Sequence, residues 1–417
     1  MLRSRTAISP VIATVILLAV VIAVALVSVS WMSGLTVSFM EIEDLKITNE
    51  NWAQDCTYVD LTLSNKGTST STVTSIAVNS QSATYNFTSG SATINADESA
   101  VIRITGVFAP GGKYSITFTT MKGNSLPYYL EARILASTFR MEWGETTVNS
   151  TFKTVNLQNH YENPIIVCSP SYNSGLPRTV RLKDVSSESF MIRVQNPSGS
   201  AIPDTLVYYW VVEEGVWESP FKMEAGKYST STVGENNNWR YDYRDYGQAY
   251  SGSIVVLHQV MSSDDPTWIT SYVSRSNSRT NPPRSSDSGF RIALNGAEAV
   301  DSHGTEEIGY VILEEAIGVV DEIKWEAKQT SDSVSGFGNS PPYYTSFTQS
   351  FTQSPAVVLA FHQEADGGDG GWAEVYSVAI TQLGLAVDED QVRDSERNHT
   401  TETCGFMVFE TSGSYVE

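Results

Sequence analysis

Three stretches of this chain repeat one pattern: PIIVCSP at 164–170, SIVVLHQ at 253–259 and PAVVLAFHQ at 355–363. Each is a short apolar strand rich in β-branched residues and bounded by polar loops. The neighbours recur as well. Upstream stand RMEWG at 140, KMEAG at 222 and KWEAK at 324, with Glu142, Glu224 and Glu326 in register. Downstream an aromatic strand ends in glutamate: YYWVVEE to Glu214, GYVILEE to Glu315 and GFMVFE to Glu410. A fixed period of this kind has to be recognised before any fold is assigned. It divides 138–417 into a triple-repeat β-module with units at about 139–220, 221–322 and 323–417. No unit contains an amphipathic helix pattern, so each reads as a small β-sandwich, and three in one chain suit packing about a pseudo-threefold axis.

The 36–137 segment also reads as β. TYVDLTLSNKGTST alternates Val59, Leu61 and Leu63 on one face before an Asn65-Lys66-Gly67 turn. GGKYSITFTTMKGN does the same with Tyr114, Ile116 and Phe118, and AVIRITGV is a further strand. Period-2 alternation between Gly/Asn turns predicts an immunoglobulin-like sandwich. The strand with Gly112, Tyr114, Ile116 and Thr120 also resembles one in the β-heads of archaeal pilins. In outline the triple repeat of 138–417 resembles H-type lectins, trimeric six-stranded sandwiches that bind sugars, which implies a lectin-like role and carries over no individual residue.

Before these lies RTAISPVIATVILLAVVIAVALVSVSW, residues 5–31, uncharged after Arg5. As a helix from Ile8 it has about 24 residues and spans roughly 36 Å, enough to cross a bilayer core. Pro10 sits in the first turn, where its missing N–H costs nothing. Arg3 and Arg5 would hold that end in the cytoplasm, leaving the rest outside. The stretch resembles the start of archaeal type IV pilins and related class III signal-peptide proteins. The resemblance implies a cleavable basic leader at 1–7, cut by a prepilin peptidase, with Arg5, Thr6, Ala7 and Ile8 at the processing site. It further implies a hydrophobic assembly or transmembrane helix over 8–35. Ile8, Pro10, Val11, Ile12, Leu17, Val21 and Leu26 would then line the filament core, and Ala13, Ala19, Ala23 and Ala25 allow close helix approach. The chain would insert in the membrane first, then join a helical homopolymer or enter as a minor subunit beside other pilins. The expected location is the cell surface. The alternatives are a membrane-anchored binding protein that does not polymerise and, with less support, a surface hydrolase.

Composition agrees with an exterior β-protein. The chain has 417 residues and is 41% hydrophobic, room for two to four domains with cores of their own. A formal net charge of −21 excludes nucleic acid as an expected partner, because phosphate neutralisation needs clustered Lys and Arg. Three cysteines, Cys56, Cys168 and Cys404, lack zinc-type spacing and allow one bridge, such as Cys168 to Cys404. Asn86, Asn149 and Asn398 head N-x-[ST] triplets and are candidate glycosylation sites. No GxSxG, HExxH, P-loop or Rossmann motif is present, and the reading is a non-enzyme.

Four histidines carry the candidate ligand chemistry. His258-Gln259 and His362-Gln363 end the apolar strands of repeats two and three, and Trp268 or Trp372 follows each. His303 and His399 open a second match, HGTEEIGYVILE against HTTETCGFMVFE, pairing Glu306 with Glu402 and Gly309 with Gly405. Trp offers flat apolar faces for sugar rings, and His, Gln and Glu bond hydroxyls. The plainer reading is a hydrogen-bond unit copied by duplication. Asp366 and Asp369 in EADGGDGGW sit on a Gly-rich loop that would suit calcium, the one cofactor the sequence suggests, although the loop also reads as plain surface.

Overall fold

The computed structural model describes residues 17–22, 24–25, 42–53, 56–109, 112–132, 138–172 and 175–417. Leu17 and Val21 are helical and exposed. Arg5, Thr6, Ala7, Ile8, Pro10, Val11, Ile12 and Leu26 lie outside the described residues. Among the described residues no helix is long and apolar enough to cross a membrane. The remainder is nearly all β, in two compact units, one reaching Arg133 and the other running from Ile134 to Glu417.

In the first unit one sheet orders Leu45–Trp52, Tyr58–Asn65, Ser99–Thr105 and Thr84–Ser89 side by side. A second orders Gln81–Ser82, Ser71–Val78, Lys113–Thr120 and Ser125–Glu131, with Thr93–Ile94 on the Ser71–Val78 strand. Alternation sets the inner faces: Val59, Leu61 and Leu63 meet Ile102, Ile104, Ile116 and Phe118 in one core. Asn65 builds the turn that follows its strand. Its Oδ1 accepts from Gly67 N at 3.0 Å, and its Nδ2 donates to Ser69 O and Ile94 O.

The second unit holds three sandwiches of one design. In the first, Arg140–Val148, Thr205–Glu213 and Pro164–Pro170 form one sheet, and Lys153–Asn156, Ser189–Gln195 and Thr179–Lys183 the other. The second repeats this with Met223–Thr230, Glu306–Glu314 and Ile254–Val260 against Asp242–Asp245, Gly289–Ala297 and Thr270–Arg275. Val233–Glu235 adds a parallel partner to Gly289–Ala297. The third uses Ile323–Gln329, Cys404–Phe409 and Val357–His362 against Tyr343–Ser346, Gln382–Asp388 and Trp372–Val378.

Each sandwich is completed by a strand from outside it. Gly215–Trp217 leaves repeat one and pairs with Met223–Thr230, and Ala316–Val320 leaves repeat two and pairs with Ile323–Gln329. Gly413–Val416 leaves repeat three and returns to Arg140–Val148. The three donations close a ring. At the closure the Trp143 indole stacks on Phe409 at 4.3 Å and donates to Thr411 O at 2.6 Å. A Cβ on Gly413 would stand 2.8 Å from that indole and 2.6 Å from Ile323, so only glycine lets the last strand approach.

The three apolar strands that defined the repeat are buried along their whole length. Ile254, Val256 and Val260 face the core of their own sandwich, while Val255 and Leu257 join Ile165, Val167, Leu359 and Phe361 in a cluster shared by all three repeats. That is why these strands lack alternation: both faces are interior. The bridge allowed between Cys168 and Cys404 does not form. All three cysteines are free and buried, and burial raises the Cys168 and Cys404 thiols far above the usual range.

Truncation before Gly413 tests the closure. Removing the last strand loses its ladder to Arg140–Trp143 and uncovers Trp143. At about 0.5–1.5 kcal/mol per bond, the second unit should lose about 2–4 kcal/mol in urea unfolding.

Candidate functional site

The two His-Gln pairs are not equivalent. Strand register matches His258 to Ala360 and Val260 to His362, so the second pair stands two residues further along its strand. Trp268 and Trp372 are displaced by the same step, because Thr270 pairs with Asn295 where Trp372 pairs with Asp388. A shift of two keeps a residue on the same face and moves it one pleat along.

Both glutamines grip a neighbouring repeat. Gln259 Nε2 donates to Val180 O at 3.0 Å, joining repeat two to repeat one. Gln363 accepts from Val256 N and donates to Val256 O, each at 2.8 Å, joining repeat three to repeat two. Ser169 does the same from repeat one to repeat three, accepting from Ala360 N at 2.9 Å and donating to Ala360 O at 3.1 Å. Each inner strand therefore ends in a side chain that holds the backbone of the next repeat around the axis. These side chains are spent on the fold and have no amide left for a sugar hydroxyl.

His258 lies among them. Its Nε2 faces His362 O at 3.2 Å, so Nε2 carries the proton, and Nδ1 accepts from Ser271 Oγ at 2.9 Å. Burial pushes this imidazole down to about 3, and burial takes His362 down to about 4. Both are neutral in the folded protein near neutral pH. A cavity of about 30 Å³ opens beside them, lined by Cys168, Thr179, His258, Gln259, His362 and Trp372. It has room for one or two waters, far less than the ~300 Å³ of a ligand pocket. Trp268 and Trp372 are 2% and 6% exposed with ring centroids 5.3 Å apart, so they pack on one another and present no face to solvent.

The second match brings His and Glu together because each His sits in a loop before the strand. His303 lies 3.8 Å from Glu306, its ring nitrogens facing the carbonyl oxygens of Gly304 and Thr267. Glu306 is bound instead by Arg181 of repeat one at 2.9 Å, with both groups fully buried, and accepts from Asp264 N and Asp265 N. At the matching place Glu402 Oε1 accepts from His399 Nε2 at 2.9 Å, and Glu389 takes His399 Nδ1. Burial works against the charged ring, but the bonds to Glu389 and Glu402 outweigh it and lift His399 to about 10. His399 is an imidazolium held between two carboxylates.

The Gly-rich loop is shaped by this ring. A Cβ on Gly367 would fall 2.1 Å from His399 Cε1 and one on Gly371 would fall 3.2 Å from it, so the loop wraps the imidazole. That wrapping separates the two aspartates read as one calcium pair. Asp369 groups with Glu389 and His399, whereas Asp366 groups with Asp332 and Glu364, each set with its ligand atoms within 4.8 Å of one another. Burial, Glu402 and Asp332 push Asp366 up to about 6. Burial, Asp366 and Glu402 push Glu364 to about 7 against the bonds from Thr403.

The sequence also held residues whose work was not legible. Arg178 of repeat one meets Glu374 of repeat three at 3.1 Å, fully buried, a second ionic joint between repeats. Of the sequons, Asn86 and Asn398 are exposed, and Asn149 is half-buried and donates to Asp204.

No protein-family model matches this chain. Halomucin of Haloquadratum walsbyi (strain DSM 16790 / HBSQ001) is 27% identical over 277 residues, covering 63% of this chain. The match takes in 3% of halomucin's length. A match of 277 residues is longer than the whole first unit, so it extends into the repeats.

Two outcomes check these assignments. Trp268→Ala or Trp372→Ala should cost about 3–5 kcal/mol of stability in denaturant unfolding, as expected for a core aromatic. The histidines set a pH dependence. Unfolded imidazoles titrate near ~6.5 and these fold at about 3 and about 4, so the unfolded chain binds more protons between those values. Their contribution is present above ~6.5 and is lost as pH falls through that window. Relative to His258→Asn with His362→Asn, the wild type should lose up to about 1.4 kcal/mol more per pH unit per histidine on acidification.

Proposed function

We propose that this chain is an archaeal type IV pilin-like subunit of the cell surface. Its N-terminal segment forms polymer contacts, and its β-units are displayed outside for adhesion, including glycan or surface binding. The observation that carries this is the N-terminal stretch itself: two arginines, a small residue, then Ile-Ser-Pro-Val-Ile opening an uncharged run to Trp31 and beyond. The first unit, with its two facing antiparallel sheets, is read as the immunoglobulin-like head of such a subunit.

The ring suits display. Gly413–Val416 pairs with Arg140–Trp143, so the second unit's first and last strands are neighbours. A module whose first and last strands are neighbours can be held from that one side, with its other faces free. The likeness to a protein named a mucin supports an exterior location, as do the net charge of −21 and the exposed Asn86 and Asn398. A site for the adhesive ligand is sought on the outer rims, because the axial histidines and tryptophans are interior.

Filaments sheared from cells should contain the chain free of lipid, and mass spectrometry should find its native start at Ile8. A chain that starts at Met1 and stays with membranes would overturn the proposal and favour an anchored, non-polymerising binding protein.

A further inference from the structure

Repeat two carries a surface strip that its sister repeats lack. The run Trp239-Arg240-Tyr241-Asp242-Tyr243 leads into its Asp242–Asp245 strand. Trp239 and Tyr241 both pack on Tyr272, Ala293 and Ala365, and Tyr243 follows with its ring centroid 5.2 Å from that of Tyr241. Strand register sets Tyr243 opposite Arg291. The matching pairs are Thr154 with Met191 in repeat one and Tyr344 with Gly384 in repeat three, so only repeat two combines an aromatic ring with a cation there. The run is held by its backbone as well. Tyr272 Oη donates to Arg240 O at 2.6 Å, and Trp239 Nε1 donates to Gly368 O at 3.2 Å.

Arginines lie over these rings. Arg291 Cζ stands 3.9 Å from the Tyr241 centroid and 5.9 Å from that of Tyr243, and Arg291 Nε donates to Ser276 O at 3.0 Å. Arg279 Cζ stands 5.2 Å from the Trp239 centroid. Among the described residues neither arginine meets a carboxylate at salt-bridge distance, whereas Arg140, Arg178, Arg181 and Arg275 each do. Two neighbouring carboxylates are spent elsewhere: Asp287 on Arg275, and Asp242 on the hydroxyls of Thr230 and Thr232. Arg279 faces Asp366 and gives its guanidinium to Ala365 O and Gly367 O, so the open charge is at the Arg291 end. Arg240 and Arg284 add exposed positive charge. In a chain of net charge −21, such a strip suits an anionic ligand.

We infer that this strip binds an acidic saccharide, with Arg291 on its carboxylate or sulfate and the phenols of Tyr241 and Tyr243 on its hydroxyls. The inference rests on the reading that the β-units are displayed outside for adhesion. A guanidinium has five N–H donors, and Ser276 takes one. Stacking on Tyr241 fixes the plane of the others, which cuts the ordering cost of gripping an anion. Side chains two residues apart on an extended run are ~6.8 Å apart, so the strip is about 14 Å long and takes an oligosaccharide lengthwise. Single-stranded nucleic acid also seeks basic and aromatic residues, but its bases need open ring faces. Here Arg291 covers Tyr241, and Tyr241 meets Tyr243 edge to face at 86°.

The test is calorimetric titration of the full chain in detergent at physiological ionic strength. The probes are hexagalacturonate, heparin hexasaccharide, maltohexaose and a thymidine hexanucleotide. An acidic sugar should bind at least tenfold more tightly than maltohexaose. Binding of hexagalacturonate assigns the acid as a carboxylate, and binding of heparin hexasaccharide alone assigns it as sulfate; either supports the site. Arg291→Ala should weaken that binding about tenfold or more, as expected for a lost charge-assisted hydrogen bond. Arg291→Lys, which keeps the charge without the fork, should lose part of it, and Tyr344→Ala on repeat three should lose none. Binding of neither acidic sugar, equal binding of maltohexaose, tighter binding of the hexanucleotide, or undiminished binding by Arg291→Ala would each overturn the inference. Sheared filaments separate it from the pilin reading. Acidic sugar bound by a chain that filaments lack would uphold this site and sink the filament, whereas filaments built of a chain that binds no acidic sugar would do the reverse.

Discussion

The second unit depends on three inner strands that are buried on both sides and whose end side chains each bond the backbone of another repeat. Ser169 holds repeat three, Gln363 holds repeat two and Gln259 holds repeat one, a cycle with one direction. Side-chain packing alone would let such strands slide, since apolar contacts are non-directional. A hydroxyl or amide bonded to a specific main-chain group fixes the register between repeats. Glycine allows the close approach at two of the three contacts. A Cβ on Gly309 would meet Met261 and Ile165 of repeat one, and a Cβ on Gly405 would meet Val255 of repeat two and Gln363. Repeat one has Tyr208 at that place, so the threefold is approximate and its three joints differ in chemistry.

Within each repeat a different constraint is copied more faithfully. One glutamate on the opening strand and one ending the aromatic strand hold the same loop by its amides. Glu142 accepts from Gln158 N and Asn159 N, and Glu213 accepts from Glu162 N and Asn163 N. Glu326 and Glu410 bind Thr348 N, Gln349 N and Thr352 N, while Glu224 and Glu314 bind Gly247 N and Ser251 N. The loop lies over a sandwich end where its amides would otherwise lack partners. Burial decides how far each carboxyl shifts. It pushes Glu224 up to about 7, whereas at the better-hydrated Glu410 the amides win and the carboxyl stays below its ordinary range.

This explains what the sequence disclosed. Strand positions and faces were legible because alternation marks one buried face and an unbroken apolar run marks two, as Val59-Leu61-Leu63 and VVL at 255–257 show. The opening glutamates were legible as a register, but their loops were not. The closing doublet EE hid which member was equivalent: Glu213 and Glu314 match Glu410, not Glu214 and Glu315. The His-Gln motif misled for a related reason. Two identical dipeptides stand one pleat apart, and local text carries no strand register. The burial of Trp268 on Trp372 and the reach of Arg181 to Glu306 arise between repeats, over separations no short window contains. The returning strand at Gly413–Val416 is four residues long and pairs with the opposite end of the module, so only closure reveals it.

The copies diverged in how they neutralise one position. Strand register sets Thr205, Glu306 and Glu402 at the same place in the three closing strands. Repeat one avoids the charge, repeat two answers it with an arginine from its neighbour, and repeat three answers it from within through His399. The last solution has a consequence. An imidazolium shared with Glu389 balances one carboxylate of the two it touches, whereas the guanidinium of Arg181 bonds the carboxylate of Glu306 directly. Repeat three therefore begins with a deficit of positive charge, and Glu364, Asp366 and Asp332 deepen it within a few ångströms. Burial makes that deficit expensive in a way the overall charge of −21 is not, since exposed carboxylates are screened by water and salt. Of the three repeats, the third is thus the one that answers its closing glutamate with a titratable cation.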